Sequence, residues 1–103
     1  MQLEWSKDAV EDLDTIWEYI AEDNMDRAFS FIEELRAEAR KLPDNPMMGK
    51  KIPELNDETY REWFYKEYTL VYQVTEKSVI IHEVYNQKKY FIRSINRYDD
   101  KSI

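Results

Sequence analysis

YTLVYQVTEKSVIIHEVYN, residues 68–86, is the stretch on which the fold turns. Two runs rich in β-branched and aromatic residues, YTLVYQVTE and SVIIHEVYN, adjoin at Glu76–Lys77, and so short a connection predicts a hairpin. Just upstream, REWFYK (61–66) has the same character and is set off at Glu67–Tyr68, which makes the three runs an antiparallel meander. Strand alternation then sorts side chains into two faces. Tyr68, Leu70, Tyr72 and Val74 form the more apolar set and are expected to meet a helical layer, leaving Thr69, Val71 and Gln73 outside. In the last run Ile80, His82, Val84 and Asn86 stand against Val79, Ile81, Glu83, Tyr85 and Gln87, a near balance that predicts a central strand. Arg61, Trp63 and Tyr65 share one face of the first run, with Glu62, Phe64 and Lys66 on the other.

The chain leading into this meander is helical. Residues 2–5 (QLEW) alternate and are too short to stand alone, so they predict an edge strand. Ser6 is a candidate N-cap for a helix whose apolar residues Val10, Leu13, Ile16, Trp17 and Ile20 recur every three or four positions, opposite Glu11, Asp12, Asp14, Thr15 and Glu18. Asn24 caps a second helix, striped by Met25, Ala28, Phe29, Ile32, Leu35, Arg36, Ala39 and Leu42, and the short join makes the two helices antiparallel neighbours. KLPDNPMMGKKIPEL (41–55) holds all 3 prolines and the 1 glycine and must be the crossing loop, with Gly49 expected to adopt a conformation costly for other residues. Beyond the meander, Phe91, Ile92, Ile95 and Tyr98 at helical spacing predict a short C-terminal helix with a basic stripe. The expectation is one domain, 1–103, of two-layer α+β class: an N-terminal strand, a helical hairpin on one face of a mostly antiparallel four-stranded sheet, and the other face open.

Composition removes several chemistries. With no cysteine and 1 histidine, thiolate metal sites, multi-histidine zinc sites and cysteine nucleophiles are excluded, and no metal or other cofactor is expected. No run approaches the ~18 apolar residues of a membrane span, and a cytoplasmic location with no membrane partner is expected. The net charge of −7 is unevenly spread: residues 1–60 carry 7 basic and 16 acidic side chains, residues 61–103 carry 8 basic and 6 acidic. A phosphate-bearing partner would therefore approach the second half.

The segment 60–93 contains nine aromatic residues, more than a small core buries with their polar tips satisfied, so Trp63, Tyr65 and Tyr85 are candidates for a partner-binding patch. Lys88, Lys89, Tyr90, Arg93 and Arg97 are candidates for contacting a target or a phosphate. His82 is the one side chain suited by its ordinary pKa to general-base work, with Arg61 and Tyr85 as partners if the chain is a nuclease. A lone histidine between isoleucines and a valine is more often a satisfied core residue, desolvated beside Leu70, Tyr72 and Val74.

The pieces WSKDAVEDLDTIWEYI, the run Ala28–Leu42 with Pro46 and Gly49, PEL at 53–55, RE at 61–62 and above all YTLVYQVTEKSVIIHEVYNQKK resemble the RelE/ParE superfamily of bacterial toxins, the toxic halves of type II toxin–antitoxin pairs, over nearly the whole chain. The resemblance implies a growth inhibitor neutralised by a cognate antitoxin. RelE-like members cleave mRNA on the ribosome, using arginines and lysines on the sheet and a C-terminal tyrosine; ParE-like members are associated with poisoning of DNA gyrase. Thr69 and Gln87 stand where RelE-like chains carry arginines, while Asn86 and Lys88 stand where ParE-like chains carry a histidine and a nearby arginine. Lost catalytic groups count more against a nuclease than against an inhibitory surface. The resemblance thus implies a ParE-like gyrase toxin first, an mRNA endoribonuclease second and a non-catalytic binding protein third.

Overall fold

A computed structural model describes residues 1–88, in the order β1 (Gln2–Trp5), α1 (Lys7–Ala21), α2 (Met25–Arg40), β2 (Lys50–Lys51), a 3-10 turn (Pro53–Leu55), β3 (Tyr60–Tyr65), β4 (Tyr68–Val74) and β5 (Ser78–Asn86). The expected C-terminal helix lies outside the described residues. The sheet has five strands rather than four, ordered β1-β5-β4-β3-β2, because Lys50–Lys51 in the crossing loop pairs with Arg61 and Glu62 at the far edge. The meander is antiparallel, and β1 joins it parallel to β5, from Gln2 opposite Ser78 to Trp5 opposite Ile81. The first hairpin turns at Lys66–Glu67, one residue earlier than expected, with Lys66 at φ 53.

Both helix starts follow from their caps. Ser6 Oγ accepts from the Ala9 amide at 3.1 Å, and Asn24 Oδ1 from the Arg27 amide at 2.9 Å, each filling one of the donors that a helix N-terminus leaves unpaired. The buried stripes are narrower than the sequence suggests. Ala9, Leu13 and Ile16 on α1, and Ala28, Phe31, Ile32, Leu35 and Ala39 on α2, are buried; Val10, Met25 and Phe29 stand exposed. Asp12, expected on the polar side of α1, is buried instead, and its Oδ2 accepts from the Val84 amide at 2.9 Å. The core between the layers adds Tyr68, Leu70, Tyr72, Val79, Ile81 and Val84.

A β-bulge explains why β5 could not be sorted by alternation. Val71 pairs with Glu83 but Tyr72 with Ile81, so His82 is the extra residue. The bulge shifts the phase: Val79 and Ile81 face the core below it, and Val84 faces the core above it. It sits where β1 ends. Ser6 continues the contact, its amide donating to Ile81 O at 2.9 Å and its hydroxyl to His82 O at 3.2 Å. The Asp12 carboxylate then takes the Val84 amide, so α1 covers the stretch of β5 edge that β1 is too short to reach.

Gly49 is needed for space rather than for an unusual backbone angle. No glycine has positive φ, but a Cβ at Gly49 would lie 2.6 Å from both Glu62 O and Tyr72 Oη. The Gly49 amide donates to Tyr72 Oη at 2.9 Å, and that hydroxyl donates to Pro46 O at 2.8 Å, tying the crossing loop to the centre of the sheet.

Candidate functional site

The nuclease candidates are split between the two faces of the sheet. Arg61 lies on the helix-side face and donates to Gly49 O at 2.7 Å, so its guanidinium braces the crossing loop. His82 and Tyr85 belong to the outer face. The bulge moves His82 away from Leu70, Tyr72 and Val74: it is half-buried, its Nε2 is 3.0 Å from Gln73 Oε1, and its ring is 5.4 Å from that of Tyr60. The expectation of a core histidine is corrected by this single inserted residue.

Nor is the middle of the outer face open. Thr69, Val71 and Glu83 are all buried, with Thr69 flanked in register by Phe64 and Tyr85, and Val71 by Glu62 and Glu83. The charges gathered here are mainly carboxylates. Burial pushes the Glu62 carboxyl above its ordinary pKa, Lys50 opposes that shift and the nearby Glu54 adds to it. The Tyr85 hydroxyl is raised likewise, first by burial and further by Glu62, Glu83 and Glu54, against a hydrogen bond with Thr69. Among the described residues no group of three or more His, Cys, Asp or Glu side chains could hold a metal ion.

Trp63 and Tyr65, expected on an open patch, are half-buried against α2. Trp63 Nε1 donates to Glu38 Oε1 at 3.0 Å, and Tyr65 Oη donates to Glu34 Oε1 at 2.7 Å. Glu34 also accepts from Lys66 Nζ at 2.9 Å and Arg27 Nη1 at 3.1 Å. These donors, Lys66 and Tyr65 first, hold its carboxyl down at a pKa of about 2, against an ordinary 4.5. Glu34, Glu38, Arg27 and Lys66 were not singled out as site residues in the sequence. Only their acid-base complementarity across two distant segments could have hinted at them.

Of the basic candidates Lys88 is described: it is exposed and lies 3.6 Å from the Glu67 carboxylate. Lys89, Tyr90, Arg93 and Arg97 lie outside the described residues. Lys88, Arg27 and Lys66 meet round a cleft of about 520 Å³ at the end of the sheet where the helical hairpin turns, lined also by Tyr19, Ile20, Phe31 and Tyr68.

A family model described as "ParE toxin of type II toxin-antitoxin system, parDE" matches residues 3–91. The chain belongs to the ParE toxin family. No curated protein matches it. Among solved structures it is similar to one described as "Chromosomal ParDE TA system from P. aeruginosa", at 19% sequence identity and a TM-score of 0.71, covering 84% of this chain and 95% of that one. At that identity the likeness concerns the fold, and it agrees with the α+β arrangement derived above. As a ParE-family toxin the chain has a mixed sheet carrying carboxylates on its outer face and a cationic, aromatic cleft at one end.

Proposed function

We propose that this ParE-family toxin inhibits growth by acting on DNA gyrase in the cytoplasm, and that a cognate antitoxin neutralises it. The observation that carries this reading is the outer sheet face. Cleavage of RNA at a 2′-hydroxyl needs cations at the scissile phosphate, together with a base and an acid within hydrogen-bond reach. The described part of that face places Glu62 and Glu83 on either side of Val71, with Glu54 near; Lys50 stands at its edge opposite Glu62, and Arg61 lies on the opposite face. A face whose charges are mainly carboxylates and whose middle is buried disfavours holding a phosphate chain for cleavage. The placement of His82 and Tyr85 on the same face favours the ribosome-dependent mRNA endoribonuclease as the second reading.

Two assays on the purified toxin separate these readings. Gyrase supercoiling should be inhibited, and mRNA in a translating extract should stay intact. Cleaved mRNA, abolished by His82→Gln or Tyr85→Phe in a protein that still folds, would reverse the order. A chain silent in both assays would be a toxin-fold protein that only binds its partner. The antitoxin is expected to supply a segment that is disordered when free and folds across the meander and beyond, near the last strand. Hydrogen exchange on adding it should show new protection within residues 60–98; none there would refute this docking.

A further inference from the structure

We propose that the cleft at the turn end of the helical hairpin is a binding site for an extended acidic peptide segment that carries a bulky apolar side chain beside its carboxylates. This goes beyond the choice of toxin target and holds whichever assay above responds.

The cleft is built from separate parts of the chain: Tyr19 and Ile20 lie in the last turn of α1, Arg27 and Phe31 in the first half of α2, Lys66 and Glu67 form the β3–β4 turn, Asn86 ends β5 and Lys88 follows it. Three cations converge there in a chain of net charge −7. They are not placed by accident of length alone. Glu34 holds Arg27 and Lys66 together from outside the lining, and both cations also lie over the Phe31 ring, at 5.0 and 5.9 Å. The cationic groups are thus fixed at the rim of an apolar floor. Lys88, 79% exposed in its side chain and 3.6 Å from Glu67, can exchange that exposed partner for an incoming carboxylate at little cost.

The chemistry of the lining selects among anions. Phe31 and Tyr68 are buried, with ring centroids 5.3 Å apart, so their faces are taken, and Tyr19, 61% exposed, is the ring that an incoming apolar group would meet. About 520 Å³ accommodates a few side chains, one apolar group on Ile20 and Tyr19 and carboxylates at the three cations.

The test is an NMR titration of the full-length toxin with a short blocked peptide of alternating glutamate and leucine. Controls are the same peptide with glutamines for the glutamates, the same peptide with glycines for the leucines, and inorganic phosphate. Saturable shifts are expected at the amides of Ile20, Arg27, Glu67, Asn86 and Lys88, with both control peptides binding more weakly. Lys88→Gln removes an exposed ion pair with Glu67 and should leave stability unchanged and weaken binding about two- to fivefold, and Arg27→Gln should do the same or more. Equal binding of the glutamine peptide, shifts centred on another face, no effect of Lys88→Gln, or phosphate saturating the same amides as tightly would each overturn the proposal.

Discussion

Glu34→Gln is the most informative single change in the described structure. The carboxylate takes hydrogen bonds from Tyr65, Lys66 and Arg27 and so ties α2 to the β3–β4 turn. Its pKa of about 2 lies below the ordinary 4.5, and at ~1.36 kcal/mol per unit the difference corresponds nominally to about 3 kcal/mol. The side chain is 30% exposed and its two cationic partners about half exposed, so solvent screening reduces this to about 1–2 kcal/mol. Because the folded pKa is depressed, the contribution is complete above the unfolded value near 4.5 and disappears as pH falls towards 2. Urea unfolding of wild type and variant should therefore differ by about 1–2 kcal/mol at pH 7, and by less than half of that at pH 3. The gap should also narrow in molar salt. A difference independent of pH between 7 and 3 would show that Glu34 contributes through packing alone, and the electrostatic account would fail.

Other changes test other parts of the structure. Gly49→Ala forces a methyl group to within 2.6 Å of Glu62 O and should cost about 2 kcal/mol or more in urea unfolding, since a backbone oxygen cannot step aside as a side-chain tip can. Tyr72→Phe removes a buried hydroxyl that serves both the Gly49 amide and Pro46 O, and should cost about 1–3 kcal/mol and speed hydrogen exchange at Gly49. Asp12→Ala leaves the Val84 amide without its carboxylate and should cost about 1–3 kcal/mol, with Asp12→Asn milder because it keeps an acceptor; equal losses would mean that the charge matters rather than the hydrogen bond. In the toxicity assay, Lys88→Ala combined with Lys89→Ala and Arg93→Ala should relieve growth inhibition without lowering the melting temperature.

The order of elements is legible in the sequence because it rests on local chemistry. Ser6 and Asn24 announce their helices by the hydrogen bonds they go on to make, and the apolar alternation of Tyr68–Val74 survives intact in the folded strand. The fifth strand is not legible: Lys50–Lys51 is a strand only because Glu62 and Arg61 offer an unpaired edge, and nothing apolar marks it. The bulge at His82 is hidden for a related reason. Alternation assumes one residue per step, and one extra residue moves His82 from the predicted core to a place beside Gln73 and Tyr60. The near balance of the two residue sets in β5 was its only trace.

What sequence periodicity hides most completely is a charged residue with a structural partner. Asp12, Glu34 and Glu38 lie among eleven acidic residues between positions 7 and 40, and each looks like part of a solvated helix face. In the folded chain they are among the polar contacts that join the acidic first half to the second: Asp12 with the Val84 amide, Glu34 with Tyr65 and Lys66, Glu38 with Trp63. This has a consequence for the aromatic excess of the meander. Trp63 and Tyr65 direct their polar tips at α2 carboxylates, so they do not form the binding surface that their abundance suggests. Tyr85 alone of the three faces outward, its pKa raised first by burial and then by the carboxylates around it. Carboxylates round Tyr85 oppose the approach of a phosphate backbone to that part of the sheet.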